Sequence, residues 1–183
     1  MEVLTTPLNG LLIIKPKVFE DSRGYFLESY NKKKLESYIT SDFVQDNQSQ
    51  SCYGTIRGLH YQLAPYSQAK LVRVISGKIF DVAIDLREKS PTYGQHFGIE
   101  LSGDNKTQLY IPSGFAHGFS VLSEIAVVFY KTDNFYNAEM ERGINFNDPF
   151  LGIDWKVDLK KSIISPKDKV LPSFNDAEKN FNL

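Results

Sequence analysis

Apolar and polar residues alternate in short segments along most of the chain, and turn-forming residues separate these segments. Val, Ile, Phe and Tyr fill the segments, while Gly, Pro, Asn and Asp stand between them. Alternation with a period of two is typical of half-buried β-strands. The pattern predicts strands at Leu11–Lys15, Tyr25–Tyr30, Phe43–Ser49, Thr55–Gln62, Lys70–Ile75, Lys78–Asp85, His96–Leu101, Gln108–Ile111, Gly118–Val121 and Ile125–Thr132.

Turns and helices are predicted between and after these strands. Ser76-Gly77 reads as a two-residue hairpin link, and Gly103–Asn105 and Pro112–Gly114 read as further turns. One short helix is expected at Lys32–Ile39, and the last forty or so residues are expected either to wrap the barrel or to form a short helix near Asp176–Phe181. Many short strands with few helices favour an all-β fold, an antiparallel barrel or jelly roll with short peripheral helices.

The same pattern predicts one domain over residues 1–183, since no repeat, low-complexity tract or linker divides the chain. We expect the barrel core at about residues 43–132 and a C-terminal segment, 145–183, that wraps it. A chain of this length is the size of one ordinary domain.

The pleat of three strands determines which polar residues share a face with apolar ones, because neighbouring side chains point in opposite directions. His60 and Gln62 share a face with Gly58, Lys70 lies with Val72 and Val74, and Tyr130 lies with Val128. If these faces point inward, the barrel holds a polar cluster in an apolar wall. Such a cluster is typical of a ligand cavity, because buried polar groups without partners are unfavourable.

Composition excludes several classes of protein. Hydrophobic residues make up 42% of the chain and aromatic residues 13%, which excludes a disordered protein. The 21 Lys and Arg nearly balance the 22 Asp and Glu, so neither nucleic acid nor an anionic membrane is expected as a partner. A single cysteine, Cys52, excludes an intrachain disulfide, and it is expected to be inert. No signal peptide is predicted, and we expect a cytoplasmic protein.

Two segments resemble the paired motifs of the cupin superfamily, whose metal-binding members use three His and one Glu as ligands. Here the corresponding positions are His60, Gln62, Lys70 and His117. A lysine ammonium cannot coordinate a divalent ion and would repel it. We therefore predict no metal, and acid–base chemistry in its place.

The residue types suggest which acid–base reaction this is. A neutral imidazole can remove a proton from carbon next to a carbonyl, and a cation can stabilise the enolate formed. A phenol on the other face could return a proton and so invert the stereocentre. Residue types alone leave an epimerase, a racemase, an isomerase or a dehydratase open.

Longer segments form a second pattern over nearly the whole chain. These segments are Phe19–Ser29, Val44–Asn47, Arg57–Gln62, Lys70–Val74, Phe80–Arg87, Ile111–Phe119 and Ser165–Asp168. In this order they resemble the dTDP-4-dehydrorhamnose 3,5-epimerase family, although Phe146 stands where the family commonly carries Trp.

The resemblance implies a reaction and a set of residues. The family inverts C3 and C5 of dTDP-4-dehydro-6-deoxy-glucose to give dTDP-4-dehydro-rhamnose, without a cofactor, as a homodimer that exchanges N-terminal strands. By resemblance His60 is the proton acceptor, Tyr130 the proton donor and Asp168 the carboxylate paired with His60, while Lys70 lies near the C4 oxygen. The positions that match substrate-binding residues are Arg23, Glu28, Gln45, Asp46, Asn47, Arg57, Lys70, His117, Glu141 and Lys167.

Other functions remain open at this point. A relative could invert a single carbon or move the ketone between C3 and C4, and a degenerate cupin could bind a sugar without turnover. A metal-dependent oxygenase would require a bound ion, against the prediction from Lys70. Asp81, on the strand with Ile79 and Ala83, is a possible second buried acid near His60, and His96 is expected at the surface.

Overall fold

Two six-stranded, mostly antiparallel sheets dominate the computed structural model, which describes residues 1–181. The strands are numbered in chain order, and two single-turn helices, α1 at Lys32–Leu35 and α2 at Pro166–Lys169, lie outside the sheets. The strands are β1 Glu2–Thr5, β2 Leu12–Lys15, β3 Val18–Asp21, β4 Gly24–Leu27, β5 Gln45–Cys52, β6 Thr55–Gln62, β7 Lys70–Ser76, β8 Lys78–Asp85, β9 His96–Ser102, β10 Gln108–Ile111, β11 Phe115–Val121, β12 Ile125–Thr132, β13 Glu141–Gly143 and β14 Ile163–Ile164.

The strands form two main sheets and one separate hairpin. The first sheet has the order β1-β2-β10-β7-β12-β5, and the second has the order β13-β6-β11-β8-β9, with β14 parallel to β6. In the part of the chain that the structure describes, strands β3 and β4 pair only with each other. This architecture confirms the predicted all-β fold of the cupin type. The division into a core at 43–132 and a wrapping segment at 145–183 stays a prediction.

Three apolar clusters hold these layers together. The first lies between the two sheets and contains Val72, Val74 and Val128, so the faces that carry Lys70 and Tyr130 do point inward. A second cluster packs Trp155 and Phe174 from the C-terminal segment on the outer face of the second sheet, and a third packs the region of α1 on the outer face of the first. Burial of these side chains is the main driving force for the fold.

Several predicted boundaries differ from the structure. The predicted hairpin at Ser76-Gly77 is wrong, because β7 and β8 lie in different sheets and the link turns a corner between them. Gly77 adopts φ +77°, and a Cβ there would lie 2.1 Å from the carbonyl oxygen of Ile125. The first helix ends at Leu35 instead of Ile39.

The predicted helix at Asp176–Phe181 is also wrong. Ser173 and Asp176 hydrogen-bond each other around a tight turn, and the chain then runs extended so that Phe181 is buried. The helical turn of this region lies earlier, at α2, where Pro166 occupies the first turn and the Ser165 side chain caps the N-terminus. Within residues 1–181, no helix is long and apolar enough to cross a membrane.

Candidate active site

A cleft of about 820 Å³ opens between the two sheets at one end of the barrel. Strands β7 and β12 of the first sheet form one wall, and β6 and β11 of the second sheet form the opposite wall, with β5, β13 and α2 at the rim. The predicted residues that line the cleft are Asn47, Arg57, His60, Lys70, His117, Tyr130, Glu141, Lys167 and Asp168.

His60 and Asp168 form an imidazole–carboxylate pair in this cleft. The two atoms that meet are His60 Nε2 and Asp168 Oδ1, at 2.7 Å. Burial alone would raise the pKa of Asp168, but hydrogen bonds from His60, the Gly58 N–H and Ser165 lower it below its ordinary value. The carboxylate therefore stays ionised and holds the proton of His60 on Nε2, which leaves Nδ1 with a free lone pair.

Lys70 is a buried cation on the facing wall. The residue is 9% exposed, and its Nζ donates a hydrogen bond of 3.4 Å to the carbonyl oxygen of His60. Burial lowers the pKa of Lys70 to about 8, while the negative charges of Asp81 and Glu141 partly counteract this effect. At neutral pH the side chain is still mostly an ammonium, close to the point where it loses its proton.

Tyr130 projects from the same wall as Lys70, one strand away. The Lys70 Nζ lies 6.0 Å from the centre of the Tyr130 ring. Burial raises the pKa of Tyr130 above its ordinary value, so the phenol keeps its proton at neutral pH. His60 and Tyr130 belong to different sheets, and a flat ligand between the sheets would therefore meet them on opposite faces.

A second imidazole–carboxylate pair lies beside the first. His117 stands directly opposite His60 in the β11–β6 ladder, and its Nε2 lies 2.9 Å from Oδ2 and 3.1 Å from Oδ1 of the buried Asp81. Burial lowers the pKa of His117, although the charge of Asp81 opposes that effect. The structure thus places Asp81 against His117, not against His60 as the sequence had suggested.

Arg57 on β6 and Asn47 on β5 also line the cleft. The Arg57 Nε donates to Ser51 Oγ at 2.9 Å, which orients the guanidinium along β5. Asn47 is the cross-strand neighbour of Tyr130, so the two side chains share a face of the first sheet. A guanidinium held in this way presents its remaining donors to an anion such as a diphosphate.

Glu141, Lys167 and Tyr136 form a network at the rim. The Lys167 Nζ and the Tyr136 hydroxyl both donate to Glu141 Oε2, at 2.5 Å and 2.8 Å. Burial alone would raise the pKa of Glu141, but these two hydrogen bonds lower it below its ordinary value. Tyr136 was not predicted from the sequence, since an isolated aromatic residue in a loop carries no pattern of its own.

Four predicted binding residues lie outside the lining of the cleft. Arg23 sits on the β3–β4 hairpin, where its exposed guanidinium pairs with Asp21, and Glu28 pairs with Lys34 near α1. Asp46 pairs with Lys131, and Gln45 accepts a hydrogen bond from the Tyr136 N–H. Their roles in binding stay predictions.

The chemistry of the donor set in the cleft is unsuited to a divalent metal. Among the side chains of residues 1–181, no three His, Cys, Asp or Glu converge as ligands would. Gln62 stands at the second ligand position of the cupin pattern, and its side-chain amide makes hydrogen bonds to backbone groups instead. Cys52 is exposed at the edge of the cleft, and His96 is exposed on the opposite sheet edge.

Comparisons with known proteins agree with this geometry. The family model for dTDP-4-dehydrorhamnose 3,5-epimerase matches residues 5–176. This chain belongs to the dTDP-4-dehydrorhamnose 3,5-epimerase family. It is 50% identical to the curated enzyme of that name from Shigella flexneri over 180 residues, which are 97% of this chain and 98% of that one.

Solved structures give the same family. The crystal structure of dTDP-4-dehydrorhamnose 3,5-epimerase from Elizabethkingia anophelis NUHP1 superposes with a TM-score of 0.92 at 54% identity, over 96% of this chain and 97% of that one. The dTDP-6-deoxy-D-glucose-3,5-epimerase from Legionella pneumophila, in complex with dTDP-4-keto-L-rhamnose, gives 0.92 at 47% identity, over 96% and 93%. The predicted family, fold and epimerase activity are confirmed.

Proposed function

We propose that this cleft inverts C3 and C5 of dTDP-4-dehydro-6-deoxy-glucose, with His60 as the base, Lys70 at the C4 oxygen and Tyr130 as the acid. One observation supports this assignment above the others: a carboxylate-paired imidazole and a protonated phenol occupy opposite walls, with an ammonium beside them. Removal of a proton from one face of a sugar and its return to the other inverts the carbon.

The proton transfer balances without a cofactor. Nδ1 of His60 takes the proton from the carbon next to the C4 ketone, and the electron pair of the broken C–H bond moves to the C4 oxygen. The Lys70 ammonium stabilises that enolate, and Asp168 stabilises the imidazolium formed. Tyr130 then donates its proton to the carbon from the opposite face, and exchange with water restores both groups.

We assign binding of the nucleotide part of the substrate to residues near the rim of the cleft. Arg57 contacts the diphosphate, and Asn47, Glu141 and Lys167 hold the rest of the nucleotide sugar. His117, neutral and tied to Asp81 through Nε2, accepts a hydrogen bond from a sugar hydroxyl through Nδ1. The product supplies rhamnose for surface polysaccharide, and we place the enzyme in the cytoplasm.

We further propose a homodimer in which the β3–β4 hairpin serves the partner's cleft. Among residues 1–181 the hairpin pairs with no other strand, and Phe19, Tyr25 and Phe26 on it are all more than half exposed. Exposed aromatic side chains of this density favour a protein interface. Arg23 and Glu28 would then reach a substrate in the second subunit.

Isotope exchange tests the function directly. In deuterated water the enzyme should incorporate deuterium at both C3 and C5 of dTDP-4-dehydro-6-deoxy-glucose, as read by NMR or mass spectrometry. The variant His60→Ala should lose this exchange while it still binds dTDP in calorimetry. Label at one carbon only would indicate a single-carbon epimerase, and binding without any exchange would indicate a sugar-binding protein.

A further inference from the structure

Gln62 occupies the position of a metal ligand in the cupin pattern, yet the proposed reaction gives it no part. The side chain is 4% exposed, at the end of β6 two residues after His60. Its amide lies where two loops meet, the loop after β6 and the loop after β12. A buried amide at such a junction requires several hydrogen-bond partners.

The Gln62 side chain makes its hydrogen bonds to backbone groups of these two loops. Its Nε2 donates to the carbonyl oxygens of Tyr66 at 2.7 Å and Phe135 at 3.2 Å. Its Oε1 accepts from the N–H of Asn137 at 2.7 Å. Two carbonyls and one N–H match a carboxamide, whereas a carboxylate would lose both donations and an imidazole could not make all three bonds.

These contacts hold the backbone on both sides of Tyr136. The carbonyl of Phe135 precedes that residue and the N–H of Asn137 follows it, while the side chain of Tyr136 is 57% exposed at the rim. The Tyr136 hydroxyl in turn donates to Glu141, the cross-strand partner of Gln62 on β13. The amide therefore connects the rim to the strand that carries the base.

We infer that Gln62 is a positioning residue that fixes Tyr136, and with it Glu141, for the nucleotide part of the substrate. This inference rests on the proposed function. Under this inference, the position at which metal-binding cupins carry a ligand contributes to substrate binding and not to proton transfer. Loss of the amide should loosen the rim and weaken binding, while the distances among His60, Lys70 and Tyr130 stay unchanged.

The test uses two variants of nearly equal volume. Gln62→Met removes all three hydrogen bonds, and Gln62→Glu keeps the acceptor but removes both donors. Each should raise the KM for the nucleotide sugar and the Kd for dTDP by about tenfold, with kcat within about threefold of wild type. Ser120→Ala is the control, because it removes one buried hydrogen bond, to the Trp155 carbonyl, outside the cleft.

A double-mutant cycle separates positioning from general destabilisation. In a Tyr136→Leu background, Gln62→Met should cause almost no further rise in KM or Kd, since the residue it positions is already gone. Independent, multiplicative effects would overturn the inference, as would a fall in kcat with unchanged KM. If wild-type protein neither binds dTDP nor exchanges deuterium, the proposed function itself is wrong, which is a different outcome.

Discussion

Lys70 is the residue for which the proposed chemistry and the stability of the fold conflict most directly. Its side chain shares a face of β7 with Val72 and Val74 of the first core cluster, and the charges of Asp81 and Glu141 only partly compensate for its burial. Removal of a charge from water is unfavourable unless partners replace the lost hydration. The unfavourable free energy of burying the charge lowers the pKa of Lys70 from 10.5 to about 8.

Lys70→Met should therefore abolish the activity and stabilise the fold. The variant keeps the length of the apolar stem, so we expect at least a hundredfold loss of deuterium exchange and a gain in unfolding free energy of about 1–3 kcal/mol. Because Lys70 has a lower pKa when folded, the gain should be largest below about pH 8 and shrink as the pH rises towards 10.5. Chemical denaturation at several pH values measures it.

Lys78→Met is the matched control for that variant, since this lysine is half exposed on a strand and pairs with Glu100. Its stability and its exchange rate should both stay near those of wild type. A Lys70→Met protein that is less stable than wild type would contradict the description of Lys70 as an uncompensated buried charge.

We expect the same residue to set the alkaline limit of the reaction. Lys70 is charged below a pKa of about 8 and neutral above it, and only the charged form stabilises an enolate. We expect kcat/KM, which reports ionisations of the free enzyme, to fall by about half near pH 8 and to keep falling at higher pH. A kcat/KM profile that stays flat to pH 10 would show that the ammonium is not needed for the reaction.

At this scale the sequence predicted which residues line the cleft better than it predicted their hydrogen-bond partners. His60, Lys70 and Tyr130 were identifiable because a motif and a family pattern surround them. The contact of Asp81 with His117 was not predictable, because it depends on which residues of β8 and β11 lie opposite each other. Gln62 was identified as a replaced ligand, but its actual partners lie in loops that carry no periodic pattern.

Strands β6 and β11 meet unusually closely where they carry the two histidines. A Cβ on Gly118 would lie 2.7 Å from the Arg57 carbonyl oxygen, and one on Gly58 would lie 2.6 Å from Gly118 Cα. The ladder also shifts register between His117 and Phe119. Close approach of two backbones at this point brings His60 and His117 side by side.

Gly118→Ala should disturb stability and catalysis together. The added methyl group forces the two strands apart, at a cost of about 1–3 kcal/mol, and moves His60 relative to the opposite wall, so kcat should fall. Ala116→Gly, on the same strand but facing the outer cluster, should lower stability by about 0.5–1 kcal/mol with kcat unchanged. Thermal melts and exchange rates compare the two variants.

At the scale of elements, the positions of the longer strands were predictable, whereas strand partners and the short strands β1, β3, β13 and β14 were not. Each predicted strand exists within a few residues, since period-two alternation depends only on local sequence. The hairpin at Ser76-Gly77 was wrong because a two-residue link fits a hairpin and a corner between sheets equally well. Likewise, the turn that carries Asp168 is helical because Ser165 and Pro166 start a helix there.

We expect the enzyme to act as a dimer in which each cleft uses residues of both chains, and mixed dimers test this expectation. If Arg23 serves the partner's cleft, a heterodimer of Arg23→Ala and His60→Ala chains keeps one complete site. Co-refolding equal amounts of the two inactive variants should then restore roughly a quarter of the wild-type activity, by random pairing of subunits.

The alternative predicts a different result for the same mixture. If Arg23 acts in its own chain or not at all, the mixture stays as inactive as its components or as active as the Arg23→Ala protein alone. Sedimentation of Phe26→Ser tests the interface independently, because loss of this exposed ring, 69% accessible in one chain, should favour monomers.

The pairing of His60 with Asp168 joins positions 108 residues apart. Strands β1 to β12 can therefore pair with one another before the segment that carries Asp168 has docked, and until then the imidazole has no carboxylate to set its tautomer. The proposed base is complete only once Pro166–Lys169 packs against β6 as a helical turn. We therefore expect reactivity towards acidic C–H bonds to appear late in folding.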